Sequence, residues 1–138
     1  MSILSNRSVI HPAAKAATVL YGLTAFLQLL LAAGILPVTM AWGGRQSVLT
    51  PGLRVLSLVA IAILVFFAYV IRRRAKLIDG VVVPTFVKIL AWVITAYSAL
   101  NFLGVITSLS MGEKLLFGPI SFFLLIACFL ISSSKEAL

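Results

Sequence analysis

Four long apolar runs, Ala16–Leu36, Val55–Ile71, Ile89–Leu109 and Leu115–Ile131, restrict what this chain of 138 residues can fold into more than any other feature. At a rise of about 1.5 Å per residue, each run is about long enough to cross a hydrocarbon core of roughly 30 Å. The two shorter ones can recruit flanking residues or thin the bilayer locally. Backbone polar groups in lipid must be satisfied within the segment or within a closed barrel. A barrel strand needs alternating polarity, which "LVAIAILVFFAYVI" (Leu58–Ile71) lacks. The expectation is an all-α, polytopic membrane protein, with a single domain over residues 1–138 forming a four-helix transmembrane bundle. Composition agrees. Only 10% of the residues are charged and 62% are hydrophobic, whereas about a quarter of a soluble domain is charged.

The first run is longer than the apolar region of a signal peptide, and "PVTMAW" (Pro37–Trp42) offers only a weak small-residue cleavage site. It therefore reads as a retained anchor. The connections between runs are short, which leaves no soluble domain, linker or repeat.

Orientation follows from the basic residues. With the N-terminus inside, that side carries Arg7, Lys15, Arg72, Arg73, Arg74, Lys76, Lys88 and Lys135, and the other side only Arg45, Arg54 and Lys114. This is a positive-inside bias, and it places both termini in the cytoplasm. Trp42 and Trp92 fall where interfacial aromatics are expected, one at each face. The net charge of +8 is spread over helix ends. The cluster "RRRAK" (Arg72–Lys76) has no domain around it that could hold a nucleic acid, so no nucleic-acid partner is expected. Anionic lipids are the expected partners of such a surface.

Several chemistries are excluded. Cys128 and His11 are single representatives of their types, and there are three acidic residues, Asp79, Glu113 and Glu136. That set cannot assemble an ordinary zinc or haem site, so no metal or other cofactor is expected. A Ser-His-Asp arrangement would need His11 and Asp79, both placed at the inner face, to meet an outward serine. Asp79-Gly80 reads as a turn. No Asp, Glu or His lies deep in a run, which argues against an ordinary proton-coupled exporter. No catalytic residues are assigned.

Polar residues do interrupt two of the runs. Tyr21, Thr24 and Gln28 share one helical face by their spacing of three and four, and so do Tyr97, Asn101, Gly104 and Ser108. Counted from the start of each run, Gln28 and Asn101 reach the same depth, about 18 Å from the inner boundary. Amides facing lipid are costly, so the two faces are expected to meet or to share a cavity. Three readings stand: a Gln28–Asn101 hydrogen bond between helices, a ligand or ion path lined by Tyr21, Gln28, Tyr97 and Asn101, or an interface between copies of the chain.

The stretch "AWGGRQSVLTPGLR" (Ala41–Arg54) is the least membrane-like part of the chain. Pro37 is expected to bend or end the first helix. Thr50-Pro51 suits a helix start, because threonine caps well and proline at the first position has no hydrogen bond to lose. Arg54 then stands at the positive end of that helix's dipole and needs a partner. The candidates are Glu113 and a lipid phosphate. Trp42, Gly43, Gly44, Arg45, Arg54 and Glu113 together form a candidate outer-face site for an anion or lipid headgroup. "SMGE" (Ser110–Glu113) also fits a capping box, and Gly118-Pro119 should bend the fourth helix.

In "AWGGRQSVLTPGLRVLS" (Ala41–Ser57) and "NFLGVITSLSMGEKLLFGP" (Asn101–Pro119), the chain resembles a group of small bacterial four-helix integral membrane proteins of unassigned function. The resemblance rests on Ala41–Gly44, Val48, Leu49, Leu53, Arg54 and Ser57, then on Asn101, Ser108, Glu113, Lys114, Gly118 and Pro119. Thr50 stands where that group more often has proline directly after Val-Leu. The resemblance implies a multi-pass protein of a cell (inner) membrane and carries no reaction or ligand. The leading expectation is a structural or accessory membrane protein with an outer-face anion or lipid site. The alternative is a small oligomeric transporter or channel with a polar path between the first and third helices. An enzyme is not expected.

Overall fold

The computed structural model describes residues 3–36 and 48–135. Among these residues it contains four α-helices and no strand: α1 (Arg7–Ala33), α2 (Pro51–Ala75), α3 (Thr85–Ile106) and α4 (Met111–Ser132). Each is long and apolar enough to cross a membrane. A 3-10 turn, Lys76–Asp79, extends α2 and ends at Gly80, whose φ of 80° is the left-handed conformation that glycine adopts without penalty.

The helix ends are set by local chemistry, and they move several of the expected boundaries. α1 begins at Arg7 instead of Ala16, because Asn6 accepts from the Ser8 N–H at 2.9 Å and caps a polar first turn that hydropathy does not register. It ends at Ala33, before Pro37 is reached. Gly34, at φ 81°, turns the chain, and the amides of Gly34 and Ile35 close on the carbonyls of Leu31 and Leu30. The start of α2 is as expected, with the Thr50 hydroxyl accepting from Leu53 N–H at 3.1 Å and Pro51 in the first position. α3 begins at Thr85 and α4 at Met111, each a turn before its apolar run, and Pro119 lies inside α4.

The helices form an up-and-down ring. α1 packs against α2 and α4, and α3 packs against α4, while α2 and α3 touch least of the four neighbouring pairs. Lys135 N–H donates to the Leu4 carbonyl at 2.7 Å, so the two ends of the described chain meet at one end of the bundle. We call this the terminal end and the opposite one the distal end. The tightest packing lies in the terminal half, where Ile10, Ile71, Ile78, Cys128 and Ile131 are fully buried. The outer surface remains apolar, as shown by exposed Val55, Leu58, Val59, Val65 and Phe66 along α2. Such a face suits hydrocarbon rather than water.

Arg74 closes the terminal end. It is buried, and its guanidinium donates to the Ser132 carbonyl at 2.8 Å and to the Ser134 carbonyl and hydroxyl, each at 3.0 Å. The last carbonyls of α4 have no intrahelical donors, and they carry the negative end of its dipole. A guanidinium satisfies both needs. Beside it, Thr95 of α3 shares a 2.9 Å hydrogen bond with Ser132 of α4. On the surface of the same end, Asp79 pairs with Arg7 at 3.2 Å and with His11 at 3.0 Å.

Candidate functional site

The distal half is built differently. Because α2 and α3 splay apart, a cleft of about 540 Å³ lies between them, backed by α1 and α4. α1 contributes Tyr21, Thr24 and Gln28 to its wall, and α3 contributes Tyr97, Ser98, Asn101 and Gly104. α2 supplies the apolar side with Ala60, Ile63, Leu64 and Phe67, and α4 supplies Glu113, Phe117 and Ser121. At its inner limit Phe67 stacks edge-on between Tyr21 (6.3 Å) and Tyr97 (5.3 Å). Below that, the Tyr21 hydroxyl and the Cys128 thiol share a 3.2 Å hydrogen bond inside the core.

Gln28 and Asn101 each lie five residues short of the distal end of their helix, Ala33 and Ile106 respectively. Their matching depth is therefore real, but they are not bonded to each other. α1 and α3 stand diagonally across the ring, so their polar faces look into a shared space instead of meeting. Asn101 donates instead to Ser121 of α4 at 3.1 Å. The Gln28 carbonyl oxygen is buried and has no hydrogen-bond partner. Thr24 bonds back to the Leu20 carbonyl of its own turn, at 2.8 Å. Ser108 is buried just outside the cleft and reaches it only through Glu113.

Glu113 does not take the position expected from its spacing. Ser110 does cap α4, accepting from Glu113 N–H at 3.2 Å, but the reciprocal half of the capping box is absent. Ser110 N–H goes to the Ser108 hydroxyl at 3.1 Å, and that hydroxyl donates to Glu113 Oε2 at 2.6 Å. Ser108 thus intercepts the bond and frees the carboxylate to turn inward. Glu113 is only 6% exposed, lines the cleft and has no cationic partner among the described residues.

The expected Glu113–Arg54 ion pair is not formed. Arg54 is exposed and lies beside the end of α1, with its Nη2 3.9 Å from where a Cβ on Gly34 would stand. The C-terminal end of a helix carries the negative pole of its dipole, which favours a cation nearby. Trp42, Gly43, Gly44 and Arg45, like Pro37, lie outside the described residues.

Comparison of the chain with protein-family models, with curated proteins and with solved structures finds no match.

The geometry of the cleft is then what defines the site. Ser121, Phe67 and Phe117 belong to it without having been singled out in the sequence. Ser121 is a polar interruption in an apolar run and could have been marked, whereas the two phenylalanines look like any other lipid-facing residue. Among the described residues no group of His, Cys, Asp and Glu is placed to hold a metal ion. The cleft combines one carboxylate, two amides, two phenols and an apolar wall, a set suited to a molecule with a polar head and an apolar body.

Proposed function

We propose that the protein is a small, non-enzymatic, multi-pass protein of a cell (inner) membrane that binds a small amphipathic molecule in the cleft between α2 and α3. This is the substrate site of a small transporter rather than the outer-face anion site. One observation carries the reading: polar side chains from α1, α3 and α4 converge on a cavity inside the membrane-spanning part of the bundle, and one of them, Gln28, keeps a buried acceptor unpaired. Polar groups within a bundle are costly and tend to be satisfied by one another when they serve packing alone. An orphaned amide beside an open cavity is better explained by a ligand that supplies the missing donor. Anionic lipids remain the proposed surroundings of the basic terminal end, and assembly into oligomers is compatible with the apolar exterior.

The test is accessibility. In a Cys128→Ser background, which removes the native thiol, cysteines are placed singly at Gln28, Asn101 and the lipid-facing Val19. Reaction of the first two with a charged, membrane-impermeant methanethiosulfonate, with Val19→Cys inert, is the expected result. Inert cysteines at both Gln28 and Asn101 would reduce the cleft to a dry helix contact.

A further inference from the structure

The chemistry of the cleft also bears on which molecule it takes, an inference that rests on the reading of the cleft as a binding site. Two of the cleft's lining residues, Glu113 and Gln28, keep an acceptor without a partner. Glu113 has one carboxylate oxygen, Oε2, engaged by Ser108, and no hydrogen bond to Oε1 is present among the described residues. Gln28 has its buried carbonyl oxygen without any partner. Gln28 lies five residues before the end of α1 and Glu113 is the third residue of α4, so both stand within about one and a half turns of the distal end, on adjacent packed helices. Several donors around the cleft are engaged within the protein. Asn101 gives its amide to Ser121, Thr24 its hydroxyl to Leu20, and Ser98 its hydroxyl to the Ile94 carbonyl. What distinguishes the cleft is Glu113, a buried carboxylate with no cationic partner among the described residues, which favours a hydrogen-bond donor that carries positive charge.

Apolar and aromatic groups complete the picture. Phe67 and Tyr97 present ring faces and edges to the interior, and Ile63, Leu64 and Phe117 form the wall beside them. A cation is attracted by aromatic faces as well as by a carboxylate. An anion would meet Glu113 with no cation among the described lining residues to offset it. We propose that the cleft recognises an amphipathic primary or secondary amine, whose ammonium group donates to Glu113 and to Gln28 while its apolar body lies along Phe67 and the α2 wall.

Phenylbutylammonium is the probe, with phenylbutanol and phenylbutyrate as neutral and anionic analogues sharing its apolar body. Binding is measured calorimetrically on the full chain in zwitterionic nanodiscs, with empty discs as the partition blank. The ammonium compound is expected to bind at least about tenfold more tightly than either analogue, in keeping with hydrogen bonds to a charged group. Glu113→Gln keeps both the cap on Ser110 and an acceptor for Ser108, and should abolish that preference while leaving thermal unfolding unchanged. Gln28→Leu should weaken ammonium binding several-fold. Equal binding of all three compounds, or a preference that survives Glu113→Gln, would overturn the proposal while leaving the cleft intact as a binding site. A preference for phenylbutyrate that is lost in Arg45→Gln would assign the recognition charge to the loop arginine instead. Unreactive cysteines at Gln28 and Asn101 would remove the underlying reading itself, so the two failures are distinguishable.

Discussion

The terminal and distal halves of the bundle are made from the same four helices and the same kinds of residue, yet they finish their polar groups in opposite ways. In the terminal half, most buried polar groups have partners supplied by the chain, the Arg74 Nε excepted: Arg74 holds the end of α4 and Thr95 holds Ser132. In the distal half, Glu113 and Gln28 are buried or nearly so and each keeps an acceptor free, while Asn101 lies open to the cleft. Closing polar groups on one another yields a rigid end. Leaving them open is costly and is retained where something else completes them. On the proposed reading, the difference teaches that one end is built for stability and the other for binding.

The sharpest way to break the closed half is Arg74→Met, which keeps much of the side-chain volume but removes the donors. It strands the carbonyls of Ser132 and Ser134 and exposes the end of the α4 dipole without a cation. Losing buried hydrogen bonds to a charged group should lower stability by about 3 kcal/mol. Arg74→Lys should recover only part of this, because an ammonium cannot span the same acceptors as a planar fork. Thermal unfolding in a mild detergent measures both. A Met variant as stable as the parent would mean that the terminal end is held by apolar packing alone.

The open half should respond with the opposite sign. Gln28→Leu replaces an amide whose carbonyl oxygen has no partner with an apolar side chain of similar size. Removing a buried unsatisfied group is expected to raise stability by about 1 kcal/mol. On the proposed reading the same change also weakens ligand binding, so stability and function should move in opposite directions at this position. A loss of stability would instead show that Gln28 serves packing.

How much of this could be read in advance depended on which interaction set the outcome. The spans were legible because lipid imposes a local rule, satisfied segment by segment. The α1 stripe of Tyr21, Thr24 and Gln28 was legible from its spacing of three and four, and so was the common depth of Gln28 and Asn101. The arrangement of those two was not, because the same stripe serves a direct contact or a shared cleft, and only the diagonal placement of α1 and α3 decides. Arg74 was hidden among three consecutive arginines. Which of them turns inward depends on the rotation of α2 about its axis, a tertiary property; Arg73 turns out to Tyr69 instead, at 3.0 Å. At Glu113 the capping-box spacing foretold the Ser110 cap but not the reciprocal bond, which Ser108, five residues earlier, takes away.

A smaller effect is expected at the surface of the closed end. Asp79 binds both Arg7 and His11, but the three side chains are about half exposed, so solvent screens the pairs. Asp79→Asn should cost about 0.5 kcal/mol at low salt and less as ionic strength rises. A loss as large as that of Arg74→Met would mean that the α1–Asp79 contact anchors the terminal end and that Arg74 shares its role.

The smallest effect separates two cations at the distal rim. Arg54 stands at the start of α2, where its charge opposes that helix's dipole, and beside the end of α1, where it complements the other. The two contributions have opposite signs, and both are weak at an exposed position. Arg54→Ala should therefore lower stability by only about 0.3 kcal/mol, through the α1 end and the contact near Gly34. Lys114, in the first turn of α4, has the unfavourable term without the compensating one, so Lys114→Ala should be neutral or slightly stabilising. The ordering of the two variants, measured side by side by thermal unfolding, matters more than either magnitude. If Arg54→Ala also strips bound anionic lipid from the purified protein while Lys114→Ala does not, the rim arginine holds a headgroup as well as a helix end, and the distal half would carry an anion site above the cleft.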